Sequence, residues 1–554
     1  MPTVSAAVSR ALLTCTSEIF GVMGNGNAHF LDAAVRTGFR FTAVRHESAA
    51  VTAADAYFRI TGKPAIATTT YGAGYSNAIT PLAEAAKARI PMLLVTGDQP
   101  SAGARPWDID QSAINDAVGA TTFIVNSQRP MAIAFEAVAH AVRERTAVVL
   151  SIPYDLAAET AAEEPVTSLE DFELDPAYPT VGERMLTQAA TALNEAKRPL
   201  VLYGRGARLA GAAQSITALA DRLGALSSST VLAPNLLAGR HGDLGITGGF
   251  SSEATAALIH ESDVVLVLGA SLNQFTTRFG DLFNEGAQII QVDVAESETN
   301  PRVDAFIRAD ATALVDVLLG RINQRDAGRR WVDEVPERLA RTREHAPGDA
   351  TAPDGLLDPR SVAQELEGII PEDRVIVQDG GHFIGWGPMY WTVPGPHALS
   401  LVGTAYQSIG LGLASAVGAG AAAPDSTIVL ASGDGGFLMG LADLESVIRS
   451  VRSGIIVIYN DAAYGAEIHQ YGSIGLHEGP MLIPEVDFAA VARGLGAQAS
   501  KVRSLEDLSG LRDWVAGGSN GIFLVDCRIS PQVRAPYMEE VLEANRRAAA
   551  RARG

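Results

Sequence analysis

Two loops constrain this chain more than any other feature in it. Ser426–Ser432 is a mostly apolar run that ends in Gly433-Asp434-Gly435-Gly436-Phe437, and Ile455–Tyr459 is a second that ends in Asn460-Asp461-Ala462-Ala463-Tyr464-Gly465. Short apolar runs closed by glycine or a polar turn predict buried strands of a parallel sheet. Strands of one such sheet deliver their loops to the same edge, where one ligand can be reached from both. Glycines at a strand-to-helix turn let backbone N–H groups face a phosphate. Asp434 and Asp461 add hard oxygen ligands, and Mg2+ carrying a diphosphate takes one or two carboxylates, with carbonyl and phosphate oxygens completing its shell. The pair of loops therefore predicts a cation and diphosphate site, with two ordinary glycine turns as the alternative.

A second block lies near the N-terminus. Val44-Arg45-His46-Glu47-Ser48-Ala49-Ala50 leads into Ala53-Ala54-Asp55-Ala56-Tyr57, then Thr61-Gly62-Lys63-Pro64-Ala65 and the strand-like Ile66–Thr70. Together with the 27-residue spacing of Asp434 and Asp461, this resembles the thiamine-diphosphate-dependent superfamily of acetolactate synthase, benzoylformate decarboxylase, benzaldehyde lyase and pyruvate decarboxylase. The resemblance covers essentially the whole chain. It implies that Asp434, the Asp461 side chain and the Ala463 carbonyl hold Mg2+, with Gly433, Gly435, Gly436, Phe437, Tyr464 and Gly465 around the diphosphate. Many members carry Asn where this chain has Asp461; the extra charge attracts the metal and repels the diphosphate. Glu47 is implied as the catalytic carboxyl against the aminopyrimidine ring, whose imino form takes the thiazolium C2 proton. A helix-start glutamate favoured by the helix dipole is its plain alternative.

Further positions follow by the same resemblance. Gly381, His382 and Phe383 sit where relatives turn against the diphosphate; Ile409 aligns with the bulky apolar wedge that bends the cofactor, and Ser408 beside it is an expected cofactor contact. Gly72 and Asn77, in Tyr71-Gly72-Ala73-Gly74-Tyr75-Ser76-Asn77, match a Ser-Gly-Pro-Gly-Ala-Thr-Asn turn, whereas Tyr71 departs from it. Asn25, Asn27 and His29 fall in the early active-site loop, and Gln111 lies near an expected glutamine; Asn25, His29 and Gln111 join Glu47 as expected catalytic residues. Tyr154 and Gln470 stand where acetohydroxyacid synthases carry Lys and Trp, which argues against true acetolactate synthesis. An acceptor pocket of Tyr71, His382, Tyr464, Glu467 and His469 is expected instead.

The activity implied is decarboxylation of a 2-oxo acid and ligation of the resulting enamine to a second carbonyl. The alternatives are a nonoxidative decarboxylase or 2-hydroxy ketone lyase and, in another class, a catalytically silent regulatory homologue. A nucleotide-dependent dehydrogenase is disfavoured, because no Gly-x-Gly-x-x-Gly opens a helix with an acidic residue at ribose distance.

At 554 residues the chain needs several cores. The acidic or Pro-rich passages Ala158–Tyr178 and His345–Pro359 predict linkers, which give three α/β domains with doubly wound, mainly parallel sheets: 1–165 (pyrimidine-binding), 186–345 (central) and 358–554 (diphosphate-binding). Gly204-Arg205-Gly206-Ala207 leaves FAD open in the central domain without favouring it. A net charge of −20 speaks against a nucleic-acid partner. Ser408–Ala423 is too short and weakly apolar for a bilayer and is expected as one packed internal helix. Met1–Arg10 has no leader pattern. Two distant cysteines, Cys15 and Cys527, suit reduced thiols, so a cytoplasmic setting is expected. The resemblance implies a homodimer at minimum and a homotetramer beyond it.

Overall fold

The computed structural model describes residues 1–553 except Val166, Thr167, Pro176 and Ala177, so part of the expected Ala158–Tyr178 linker lies outside the described residues. Three six-stranded sheets follow one another along the chain, and every strand pair in them is parallel.

The first sheet holds β1 (Glu18–Gly21), β2 (Arg40–Ala43), β3 (Ile66–Thr69), β4 (Met92–Asp98), β5 (Thr121–Ile124) and β6 (Ala147–Pro153), in the order β2-β1-β3-β4-β6-β5. The second holds β7 (Pro199–Tyr203), β8 (Leu226–Ser229), β9 (Asp243–Ile246), β10 (Val264–Leu268), β11 (Gln288–Asp293) and β12 (Ala305–Arg308), ordered β12-β11-β10-β7-β8-β9. The third holds β13 (Arg374–Gln378), β14 (Leu399–Leu401), β15 (Thr427–Gly433), β16 (Ser453–Asn460), β17 (Gln498–Val502) and β18 (Gly521–Arg528), ordered β14-β13-β15-β16-β18-β17. Their central strands are buried along their length, as sheets covered by helices on both faces require. This is the three-domain, doubly wound α/β architecture that the apolar runs predict.

The first and third units share one core. The helix Glu47–Thr61 starts with the His46 ring accepting the Ser48 N–H and stops at Gly62 in the left-handed region. Its face of alanines lies on the helix Gly412–Ala422, and a Cβ at Gly418 would overlap the Ala53 carbonyl. Small residues on both helices permit that backbone approach. The expected single helix over Ser408–Ala423 is corrected: the helix begins at Gly412, because Gln407 and Gly410 take positive φ (60° and 83°) and turn Ser408 and Ile409 into a loop.

The three units also meet at a buried charge cluster. Arg59 Nε donates to Asp55 Oδ1 and its Nη2 to Glu84 Oε1 at 3.1 Å, with all three side chains shut off from water. Arg205 of the central unit reaches the Ala88 carbonyl, and Arg208 donates to the Pro396 carbonyl at 2.6 Å. Among the described residues no helix is long and apolar enough to cross a membrane.

Candidate active site

Two clusters form at the carboxyl ends of the first and third sheets. The first is built on the loops after β1, β3 and β4. Asn27 is buried and accepts the Gly24 N–H at 2.8 Å while donating to Val22 O and Thr68 Oγ1. It therefore fixes the loop and has no amide group left for a ligand. Gly26 N–H donates to Thr70 Oγ1 at 2.8 Å, and Gly97 lies so close that a Cβ there would stand 2.5 Å from the Gly26 carbonyl. Gln111 is likewise engaged at both ends: Oε1 accepts the Gly72 N–H at 2.9 Å and Nε2 donates to Gly97 O at 3.0 Å. Gly72, at φ 62°, needs that brace. Gln111, expected to be catalytic, thus holds the turn beside Glu47.

Glu47 projects from the start of its helix toward that turn. Its Oε2 accepts from Asn77 Nδ2 at 3.0 Å, and its Oε1 would stand 2.8 Å from a Cβ on Gly74. Asn25 is exposed and donates to the Tyr71 hydroxyl at 2.9 Å. His29 is exposed, and its ring makes no hydrogen bond among the described residues. Over Tyr71 lies a group that the sequence reading did not single out: the Arg105 guanidinium stacks 4.4 Å from the Tyr71 ring centroid, 5.5 Å from Trp107 and 4.7 Å from Tyr154, and pairs with Asp108. Its signals in the sequence were the two departures Tyr71 and Tyr154, whose rings it covers.

The second cluster is organised by a residue that sequence reasoning also passed over. Asp379, directly after β13, is fully buried; its Oδ1 accepts the N–H of Gly380 and Gly410 at 2.8 and 2.9 Å, and its Oδ2 accepts from Ser432 Oγ at 3.1 Å. One carboxylate thereby ties together the loops that carry His382, Ile409 and Asp434. Burial raises its pKa, opposed by those hydrogen bonds. Ile409 lies against Gly380, where a Cβ would be 2.9 Å from its Cγ2, and Ile409 is still 36% exposed. Phe383 stacks on Tyr459, with the rings 5.9 Å apart and 15° between planes, and closes the base beneath Gly381 and Gly433.

β15 and β16 are neighbours, so Asp434 and Asp461 emerge side by side. Asp434 Oδ1 accepts the Gly435 N–H at 2.9 Å, whereas Oδ2 is buried with no partner among the described residues. Asp461 Oδ1 accepts the Ala463 N–H at 3.2 Å across a turn in which Ala462 has φ 57°, and Asp461 Oδ2 faces Gly465. Tyr464 covers Gly435, and Phe437 is buried on Phe488. Burial pushes Asp434 up to about 6; burial and then the Asp434 charge push Asp461 up to about 7. An orphaned carboxylate oxygen beside a second carboxylate is a donor set that a divalent cation would satisfy. Three acidic or imidazole ligands do not gather at any one point among the described residues, so such a cation would draw its remaining ligands from carbonyls, water or a phosphate.

Among the described residues no hydrogen bond, ion pair or ring contact joins the Glu47 carboxyl to this second cluster. The central glycine turn holds no comparable space. Gly204 N–H donates to Leu268 O, Gly206 N–H to Gly269 O, and a Cβ on either glycine would run into Gly269 or Ala270. β10 and β7 form the point where the strand order reverses, the usual crevice for a ligand. Arg205, directly after β7 and Gly204, reaches from there to the Ala88 carbonyl of the first unit.

The chain matches known proteins along most of its length. Residues 2–118 match the family model described as thiamine pyrophosphate enzyme, N-terminal TPP binding domain; residues 186–318 match its central domain and 379–527 its C-terminal TPP binding domain. Sulfoacetaldehyde acetyltransferase of Roseovarius nubinhibens is 26% identical, over 98% of this chain and 94% of that protein. Acetolactate synthase isozyme 2 large subunit of Escherichia coli is 27% identical, over 93% of each. 2-Hydroxyacyl-CoA lyase of Oryza sativa subsp. japonica is 29% identical, over 84% of this chain and 83% of that protein. A Rhodococcus jostii thiamine diphosphate-dependent 4-hydroxybenzoylformate decarboxylase superposes with a TM-score of 0.76 at 20% identity, over 96% of this chain and 99% of that one, which is a likeness of fold.

Proposed function

Because the chain belongs to the thiamine pyrophosphate enzyme superfamily, in its acetolactate-synthase-like branch, we propose that it decarboxylates a 2-oxo acid and joins the product to a second carbonyl, with Mg2+ and thiamine diphosphate bound. The observation that carries this reading is the convergence of Asp434 and the 461–463 turn at the ends of two adjacent strands. The relatives named as acetyltransferase and synthase favour ligation. A 2-oxo acid decarboxylase or 2-hydroxy ketone lyase is the second reading, favoured by the departures at Tyr154 and Gln470 and by the lyase relative.

Bound thiamine diphosphate supplies a thiazolium carbon acid that, once deprotonated, adds to a carbonyl and accepts the electron pair released with CO2. The protein's own groups would act around it. Asp434, Asp461 and the Ala463 carbonyl would hold the cation, and the Gly433–Gly436 turn would lie against the diphosphate. The Glu47 carboxyl, oriented by Asn77, would hold a proton for the pyrimidine ring. Ile409, on the loop anchored by Asp379, would be the apolar side chain that packs against the bound cofactor. Arg105, held over Tyr71, narrows the approach of the acceptor.

Among the described residues the Glu47 carboxyl makes no hydrogen bond or ion pair with the second cluster, which fits a site shared between subunits, with the first cluster of one chain facing the second cluster of another. A homodimer is then the smallest competent unit, and a homotetramer of two such dimers its expected form, in the cytoplasm. Flavin has no part in this reading. The test is turnover of a panel of 2-oxo acids by the cofactor-loaded protein, following CO2 and carbon–carbon products with and without aldehydes. Ligated product supports the proposal, aldehyde alone replaces it with the decarboxylase reading, and silence with cofactor bound favours a lyase or the regulatory homologue.

A further inference from the structure

A cleft of about 150 Å3 opens where the central unit, the chain that leaves it and the third unit meet. Phe250 comes from the central unit, Arg343 and His345 from the departing chain, and Tyr390 and Trp391 from the third unit. Seams between domains are a common place for small-molecule sites, and apolar walls with a few polar groups are their usual make-up. The volume is about that of a cavity that holds one benzene ring. Its lining shares no residue with the Glu47 cluster or with the Asp434 and Asp461 cluster.

The charge of the cleft has one sign. In a chain of net charge −20, no Asp or Glu lines it. Burial pushes His345 down to about 4, so its ring is neutral near pH 7, and its nitrogens make no hydrogen bond among the described residues. Arg343 is therefore the charged group of the lining. Its one counter-ion among the described residues, Asp243 Oδ2, is 3.5 Å away, and the Arg343 side chain is 56% exposed. Asp243 is already engaged through Oδ1, which accepts from the Tyr203 and Ser227 hydroxyls at 2.8 and 2.9 Å. Much of the guanidinium is left to meet an anion.

The cleft is tied to His382 by two routes. The helix Trp386–Tyr390 continues directly from the turn His382–Gly385, so one short segment carries His382 at its start and Tyr390 and Trp391 of the cleft at its end. Phe250 meets the Tyr537 ring edge to face at 5.4 Å, and the Tyr537 hydroxyl donates to the His382 carbonyl. A Cβ on Gly385 would run into the Tyr537 ring and stand 3.1 Å from Phe250 Cε1, so both rings pack on the backbone of that segment. His382 in turn backs onto the cation cluster: a Cβ on Gly465 would stand 2.5 Å from Asp461 Oδ2 and 3.6 Å from His382 Cβ.

We propose that this cleft is an accessory site for a small aromatic carboxylate, with Phe250, Tyr390 and Trp391 against its ring and Arg343 on its carboxylate, and that an occupant alters cofactor binding through the His382 segment. Aromatic walls favour a ring, and a guanidinium offers a carboxylate two parallel N–H donors. Binding in the cleft is independent of the reaction proposed above, whereas the coupling rests on that reading.

The test is calorimetric titration of benzoate, neutral benzamide and acetate into the protein, first free of cofactor and then loaded with Mg2+ and thiamine diphosphate. Benzoate should bind at least about tenfold tighter than benzamide and than acetate, which lacks the ring. Arg343→Gln should remove the preference for benzoate over benzamide while benzamide binding, and turnover without benzoate, stay unchanged. Arg343→Lys, which keeps the charge, should recover part of it. Equal binding of benzoate and benzamide, or a preference that survives Arg343→Gln, overturns the site, and acetate binding as tightly as benzoate overturns the aromatic class. Loading with cofactor should change the Arg343-dependent benzoate affinity by about fivefold or more, and benzoate should change the affinity for thiamine diphosphate by the same factor. Tyr537→Phe keeps the ring and removes the hydroxyl; it should shrink that factor and leave benzoate binding to the cofactor-free protein intact. Equal benzoate affinities with and without cofactor overturn the coupling. A protein that never binds thiamine diphosphate would overturn the functional reading and the coupling with it, and the cofactor-free titration would still decide the cleft.

Discussion

The Glu47 carboxyl is fixed from two sides: Asn77 Nδ2 donates to Oε2 at 3.0 Å, and Gly74 leaves room for Oε1 where a Cβ would intrude to 2.8 Å. A side chain held this way at a helix start is oriented before any ligand arrives. Glu47→Gln is expected to bind thiamine diphosphate and slow exchange of its C2 proton by about a hundredfold or more, a loss typical of a removed general acid–base group. Unchanged exchange, followed by NMR in deuterium oxide, would remove Glu47 from the proton transfer.

Gly74→Ala tests the geometry without touching the carboxyl. The new methyl would meet Thr70 Cγ2 at 2.6 Å as well as Glu47 Oε1, so the carboxyl must swing from Asn77. C2 exchange should fall nearly as far as in Glu47→Gln. Wild-type exchange rates would show that the turn yields instead.

Why these residues were readable and others were not has a physical cause. Glu47, Asp434 and Asp461 sit in local patterns, a glycine turn or helix start directly after an apolar strand, and local patterns survive in a linear sequence. Asn27 closes its own loop and reaches the Thr68 side chain, and Gln111 satisfies backbone groups of Gly72 and Gly97, roles that only the folded contacts reveal. Asp379 and Arg534 act on loops 30 or more residues away, and no spacing announces them. The overestimated helix at Ser408 has the same origin: glycine and alanine composition suits a helix, but Gln407 and Gly410 take positive φ and the Gly410 N–H is held by the distant Asp379 carboxylate.

The two metal-facing carboxyls give a pH dependence of definite sign. Asp434, near 6, and Asp461, near 7, both lie above the ordinary value of 3.8. The cation-free folded protein therefore keeps protons there that the unfolded chain has lost; this contribution to stability is present below about pH 4 and gone above about pH 7. Mg2+ must displace the same protons, so its affinity should rise from pH 5 to pH 8. With Mg2+ and thiamine diphosphate, the thermal midpoint should increase more at pH 8, where a hundredfold excess over Kd is worth about 2.7 kcal/mol. Asp461→Asn should flatten the upper part of the rise. A Mg2+ affinity independent of pH in that window would place the cation elsewhere.

Arg59→Met should cost about 3–5 kcal/mol, because it leaves Asp55 and Glu84 buried without their shared cation. Glu84 Oε2 also accepts the Tyr406 N–H at 2.6 Å, at the root of the loop that carries Ile409. The variant should therefore lower both the first thermal transition and the affinity for thiamine diphosphate. A drop in stability with cofactor affinity intact would confine the cluster to a structural role.

Ile409 separates packing from catalysis most cleanly. An isoleucine in a closed core costs about 2–5 kcal/mol when cut to alanine, but Ile409 is 36% exposed and stands on a loop turned outward by Gln407 and Gly410. Ile409→Ala should therefore change the thermal midpoint of the cofactor-free protein little, since about one kcal/mol or less of apolar burial is lost. If the side chain instead presses on a bent cofactor, its truncation should slow C2 exchange and turnover together while Glu47 and Asn77 remain in place. Ile409→Leu should recover most of both, because volume rather than branching supplies the pressure. A midpoint that falls while exchange holds would make Ile409 an ordinary packing residue, and the bend would have to come from another side chain.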